Sequence, residues 1–470
     1  MPSTDRDLSF TPAVELARLY ARRTVSPLEV LQAALARIDT VNPQVNAFVT
    51  LTRDQAVREA RRATAALRRG KNLPPLFGVP VGIKDVTETK GILTTFGSTL
   101  FKGHVPEVDA VVVERLRAAG AIVLGKTNTP EFAFGPNTVN AVFGATRNPW
   151  NLARTAGGSS GGSAAALATG MCPIAEGTDL GGSLRGPASY CAVVGFRTTP
   201  GLIPRYPSVL AWDTYSVEGP MARTVADAAL MLSVMAGPDA RSPISYSVDT
   251  RALTRAVRAP SVKGWRIAWT PDLGGLVAVD GEVLQVFEGA VAALRGAGAR
   301  MEAACPDMAE VPEIVRLSRG FLMVARHGDK LPKHRDVLQP GLVENTEQGL
   351  ALTAADVARG ELLRTVLWNR VREFLADRDV WVTPTTALPP FPLEKPLTGR
   401  SFLTYAFSVL GLPAISVPAG FTKDGLPIGL QIVGKWGGEA AVLRAAAAFE
   451  AARPWAHRLP PVISTATPPA

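Results

Sequence analysis

Two glycine pairs in the first half of the chain each deliver a serine. The first lies in the run Gly157-Gly158-Ser159-Ser160-Gly161-Gly162-Ser163, the second in Asp179-Leu180-Gly181-Gly182-Ser183-Leu184-Arg185. Small residues let neighbouring backbone N–H groups turn towards one point, so each serine sits where a built loop is expected. A serine becomes a nucleophile only beside a base. The chain has four histidines, His104, His327, His334 and His457, and none stands near either run. A Ser-His-Asp triad is therefore disfavoured, and the base must be another residue. Upstream, the apolar strand-like run Leu76-Phe77-Gly78-Val79-Pro80-Val81-Gly82-Ile83 ends in Lys84-Asp85. A lysine there is costly unless it has a function, which makes Lys84 the candidate base.

The rest of the chain alternates between helix and strand patterns. Ser26-Pro27-Leu28-Glu29 reads as a helix start, with Ser26 as N-cap, proline in the first turn and glutamate three residues on. A second amphipathic run spans 54–69 and stops at Gly70. From Pro75 short apolar runs alternate with helices: a helix capped by Asp109 and closed by Gly120, a strand over 121–124 that Lys126 ends, and a small-residue helix over 163–169. A buried strand from Cys172 then feeds the Ser183 loop. Strand patterns at 265–269 and 380–383 flank a helix over 282–295, and the Pro-rich stretch 384–396 reads as an ordered loop. This pattern predicts an α/β fold with helices on both faces of a sheet.

The Lys84 segment, the Ser159 run and Gly177-Thr178-Asp179-Leu180-Gly181-Gly182-Ser183-Leu184-Arg185-Gly186-Pro187-Ala188 together resemble the amidase signature family of serine hydrolases. Order and separation match as well, with 75 residues from Lys84 to Ser159 and 24 from Ser159 to Ser183. Weaker similarities extend over nearly the whole chain, in 124–128, 145–150, 411–418 and 427–431. The resemblance implies one large domain over 1–470 with a mixed β-sheet covered by helices. Within it, 1–70 forms N-terminal helices, 75–235 the catalytic core and 300–365 a variable helical segment over the substrate. It further implies Ser183 as nucleophile, Ser159 as bridge with a cis bond to Gly158, Lys84 as base, and the backbone N–H groups of Leu180, Gly181, Gly182 and Ser183 as oxyanion hole.

Around these residues the reading is physical. Lys84 must be neutral at rest, which burial without a dedicated carboxylate partner would achieve. Asp85 follows it directly, but adjacent strand residues point to opposite faces, so it is not expected to pair with Lys84. Lys126 reads as a lysine reaching out from a strand end. Ser160, Asp179 and Arg185 read as scaffold that fixes the loops, and Cys191 as a core thiol. Phe132, Phe134, Gly135, Tyr206 and Trp212 are expected to line the substrate pocket, which would suit bulky apolar or aryl amides, with esters and carbamates (urethanes) also accepted.

Composition narrows the partners. The formal charge is +9, but the basic residues are spread along the chain, and the densest cluster, from Arg61-Arg62 to Lys71, reads as a solvated helical face rather than a nucleic-acid site. No apolar stretch reaches membrane-spanning length, and the N-terminus lacks a signal-peptide core. Three scattered cysteines have no metal spacing and fit a reducing cytoplasm. The expectation is thus a cytoplasmic, metal-free and cofactor-free monomer or homodimer acting on a small molecule. Three rivals stand beside it, one of them a non-catalytic binding protein on this fold, against which intact Lys84, Ser159 and Ser183 count. In the amidotransferase component that serves glutaminyl-tRNA formation, a helical aspartate grips glutamine, and here Leu362 falls about where that aspartate would be. A small-molecule kinase would use Gly157–Ser163 as a phosphate cradle at a helix start.

Overall fold

The computed structural model describes residues 7–67, 70, 73–394 and 402–465. Arg68, Arg69 and Lys71 of the basic cluster, and residues 395 and 396 of the Pro-rich stretch, lie outside them. An 11-stranded sheet runs through the molecule in the spatial order 48–51, 122–127, 80–84, 174–179, 217–222, 194–197, 414–421, 427–433, 380–384, 266–269, 300–303. The strand Pro80–Lys84 pairs in parallel with Ile122–Thr127 and Ile174–Asp179, and Arg266–Trp269 pairs in parallel with both of its neighbours. The strands between these groups pair antiparallel. The sheet is mixed, and the chain is an α/β single domain.

Both faces of the sheet are covered, and the strand sequences show why. Val123 and Leu124, Ile174 and Ala175, and Ile432 and Val433 are all buried, yet the members of each pair belong to different core clusters. Period-2 alternation sends neighbours to opposite faces, so strands buried on both sides are apolar throughout. On one face, helices Val111–Ala118, Val225–Met235, Gly281–Gly296 and Glu439–Ala452 contribute to the core; on the other, Pro27–Val45 and Gly161–Ala168 do so. Near the far end of the sheet, Val311–His327, Ala354–Leu375 and Phe402–Val409 pack against Trp381, Ala414 and Val433.

Helix Pro27–Val45 starts with the expected capping box, in which Ser26 and Glu29 satisfy each other's backbone N–H. The helix predicted from Asp109 begins instead after Ala110. The Asp109 carboxylate accepts from Lys90 N at 2.8 Å and pairs with Arg117, so it ties a loop to the helix rather than capping it. In the helix Arg53–Leu67, Arg61 and Arg62 are exposed to solvent.

Candidate active site

Three chain segments bring Lys84, Ser159 and Ser183 to one cavity wall. Lys84 is the last residue of a fully buried strand. Ser159 lies in the loop before helix Gly161–Ala168, and Ser183 in the turn between strand Ile174–Asp179 and helix Arg185–Cys191. The Gly158–Ser159 peptide is cis, as expected.

Lys84 Nζ donates to Ser159 Oγ at 2.6 Å, to Ser160 Oγ at 2.9 Å and to Thr178 Oγ1 at 2.8 Å. All three acceptors are hydroxyls, and no carboxylate pairs with Lys84 among the described residues. Burial drives its pKa down to about 7, against the opposing pull of Glu176 and Asp179. A carboxylate is nevertheless close: Glu176 Oε2 accepts from the Lys84 backbone N–H at 3.1 Å and from Thr87 Oγ1 at 3.0 Å. Burial pushes Glu176 upwards, so both groups are driven towards their neutral forms. Asp85 turns away as expected and accepts from Thr95.

Lys126 departs from its expected place. It does not reach out to solvent but is completely buried, donating to the Thr87 carbonyl and, at 2.9 Å, to Thr89 Oγ1. Strand Ile122–Thr127 is covered on both faces, so its lysine has no route to water. Lys126 thereby fixes the Thr87–Thr89 turn beside Lys84.

The Ser183 turn is built around Asp179. Asp179 Oδ1 accepts from Gly182 N at 2.8 Å, and Oδ2 accepts from Leu184 N at 3.1 Å. Arg185 clasps the same carboxylate through Nε and Nη2, and Arg197 Nη1 reaches it at 3.3 Å. Burial alone would raise the Asp179 pKa, but the two guanidinium charges outweigh it and hold it well below the ordinary carboxylate range. Removing the carboxylate leaves two buried arginines without a counter-charge. Asp179→Ala is expected to lose about 3–5 kcal/mol of stability in denaturant unfolding; a loss under about 1 kcal/mol would contradict the scaffold role.

The expected oxyanion hole loses one of its donors. The Gly182 N–H is committed to Asp179 and is not a donor to substrate. The N–H groups of Leu180, Gly181 and Ser183 take no acceptor among the described residues. Gly182 is required for another reason: its φ is +122°, and a Cβ there would lie 2.4 Å from Thr404 Oγ1. At Gly181 a Cβ would come within 2.1 Å of the Tyr405 ring. The Ser183 carbonyl accepts from Ser160 N at 3.2 Å, which binds the two serine loops together. Ser183 Oγ makes no hydrogen bond among the described residues and lines the cavity. The Lys84–Ser159 link is formed; the Ser159–Ser183 link is not closed.

The cavity measures about 990 Å³. Phe132, Phe134 and Gly135 line it as expected, with Phe96 and Phe101 beside them. Tyr206 and Trp212 do not. Tyr206 lies under the Arg241 guanidinium, 4.9 Å from the ring centroid, and Trp212 is 75% exposed. Their loop reaches the cavity instead through Arg205, Ser208 and Leu210. Helix Val311–His327 supplies Val315, Arg319 and Met323 to the wall. Arg319 packs 4.6 Å from the Phe134 centroid and donates to Tyr405 OH and, at 2.8 Å, to Asn345 Oδ1. Thr178 lies within the Gly177-Thr178-Asp179 run, but nothing local marks it as a partner of Lys84; Arg319 and Tyr405 carry no local sequence signal.

The structure bears on two of the rivals. The start of helix Gly161–Ala168 is closed to phosphate, because Gly161 N donates to Thr138 Oγ1 and Gly162 N to the Asn128 carbonyl. Leu362 is 68% exposed and outside the cavity wall, so it does not mark a glutamine subsite in either direction. Cys191 is buried and its thiol is pushed upwards by burial, as suits a core residue.

The fold and this constellation define an amidase. A model of the amidase family matches residues 29–443, and the chain belongs to that family, a hydrolase of amide C–N bonds. It is 42% identical over 97% of its length to an acylamidase of Rhodococcus erythropolis, 98% of which is covered. It is 36% identical over 95% of its length to a glutamyl-tRNA(Gln) amidotransferase chain of Thermosynechococcus vestitus, 98% of which is covered. The crystal structure of a bacterial aryl acylamidase of the amidase signature enzymes superposes with a TM-score of 0.86 at 30% identity, covering 95% of this chain and 97% of that one. Among the described residues no helix is long and apolar enough to cross a membrane.

Proposed function

We propose that this chain is a stand-alone acylamidase for aryl or apolar amides, working through an acyl-enzyme on Ser183. The observation that carries the reading is the 2.6 Å separation of the buried Lys84 Nζ and Ser159 Oγ, short enough for a proton to pass between them, at the wall of an aromatic-lined cavity. Neutral Lys84 takes the Ser159 proton as Ser159 takes that of Ser183, and Ser183 Oγ attacks the amide carbon. The N–H groups of Leu180, Gly181 and Ser183 receive the developing oxyanion; one such donor is worth about 3–4 kcal/mol of barrier. Ser159 then returns a proton to the leaving nitrogen, because an amide anion is a poor leaving group. Water repeats the sequence to release the acid. Esters and aryl carbamates pass through the same steps with better leaving groups.

The test is a panel of an anilide, a p-nitrophenyl ester and an aryl carbamate. The expected result is turnover of the anilide, with faster acyl transfer from the ester. The similarity to an amidotransferase chain sustains a second reading, in which glutamine is the substrate and a partner chain is required. Glutamine hydrolysis with no turnover of the panel would replace the first reading by the second.

A further inference from the structure

One buried carboxyl in the catalytic cavity has no partner among the described residues. Glu218 lies on strand Val217–Ala222, directly opposite Thr178, the residue that accepts from Lys84 Nζ. Cross-strand partners share a face, so Glu218 stands one strand from the Lys84 side chain. It is only 8% exposed and lines the cavity. Its carboxyl makes no hydrogen bond or ion pair among the described residues, and Oε2 is fully buried. Buried polar groups are almost always bonded, so an exception in a substrate cavity calls for a ligand.

A second unpartnered atom lies close by, beneath the cavity surface. Arg205 donates through Nη1 to Asp213 Oδ2 at 3.1 Å and to the Ser216 carbonyl at 3.3 Å, while its buried Nε–H has no acceptor. Ser216 is two residues from Glu218 and also lines the cavity, where Arg326 Nη2 donates to its Oγ at 2.7 Å. Burial, reinforced by the charge of Glu176 and opposed by Arg205, raises the Glu218 pKa to about 8, so it is uncharged at neutral pH. An uncharged carboxyl offers one O–H donor and one acceptor. A cation would meet Arg205 and Arg326, and an anion would forgo the acceptor oxygen. A neutral amide supplies both an acceptor oxygen and an N–H.

We propose that the Glu218 carboxyl is a polar subsite that holds a second, uncharged amide group of the substrate, apart from the scissile bond. The aromatic wall takes the apolar part. The preferred substrates are then amides that carry a further carboxamide, a class narrower than the acylamidase reading on which this rests.

The test compares aniline release from butyranilide and from its analogue in which a primary carboxamide replaces the terminal methyl group. Wild type is expected to favour the carboxamide by about tenfold or more in kcat/KM. Glu218→Leu should bring this ratio close to one, and Glu218→Gln, which keeps a donor and an acceptor, should retain most of it. If Glu218→Leu does not accumulate, Glu218→Met, an apolar side chain of similar length, must bring the ratio close to one instead. A wild type without preference would mean that solvent alone fills the subsite and would overturn the proposal, as would an unchanged ratio in Glu218→Leu or Glu218→Met. Neither result touches the acylamidase reading, which fails only if wild type releases no aniline from either compound.

Discussion

Replacing Ser183 with alanine is expected to lower kcat/KM for every substrate of the panel by about four orders of magnitude or more. The oxyanion donors and the cavity survive the change, so binding should be nearly unaffected and the loss should fall on kcat. The reason is local: Ser183 is the cavity-facing hydroxyl beside the unpaired N–H groups of Leu180 and Gly181, and its Oγ is held by nothing else among the described residues. Steady-state kinetics of purified Ser183→Ala checks this. Activity within tenfold of wild type would remove Ser183 from the role of nucleophile.

The second large effect belongs to Lys84. Lys84→Met keeps the volume of the side chain and removes the base, and kcat/KM should fall by about three orders of magnitude or more. The pH profile of wild type gives an independent check. Burial places the Lys84 pKa near 7, far below its ordinary 10.5. Below that value the amine is protonated and cannot accept from Ser159; above it the base is free. Wild-type kcat/KM should therefore rise with pH through about 7, and the residual activity of Lys84→Met should lack this limb. The same shift has a consequence for stability with a fixed sign. Between about 7 and 10.5 the unfolded chain holds a proton on Lys84 that the folded chain does not, so this residue's contribution to stability increases as pH rises through that window. A flat wild-type profile from pH 6 to 9 would mean that Lys84 is not the titrating base.

Much of the candidate site was legible because its residues stand in contiguous runs. Glycine pairs, a lysine at the end of an apolar run and Asp179 with Arg185 are local patterns, and strand–helix alternation gave the layered fold. What escaped was set by long-range contacts. The Gly182 N–H looked available until Asp179, three residues back, was seen to accept it. Tyr206 and Trp212 looked like pocket aromatics, but composition does not say which way a loop turns, and Trp212 faces solvent. Lys126 looked like a strand-end lysine, because nothing in its neighbourhood shows that its strand is covered on both sides. Arg319, Tyr405 and Glu218 come from elements far apart in sequence, and only the sheet order and the packing of helix Val311–His327 bring them to one cavity.

The most direct test of the central claim is to trap the acyl-enzyme. An aryl carbamate leaves a carbamoyl group that is released slowly, so brief incubation, acid quenching and peptide mapping by mass spectrometry would locate it. The account predicts a single carbamoyl adduct on Ser183, absent from Ser183→Ala and strongly slowed in Lys84→Met. An adduct on Ser159 or Cys191, or full turnover with no adduct on Ser183, would contradict it.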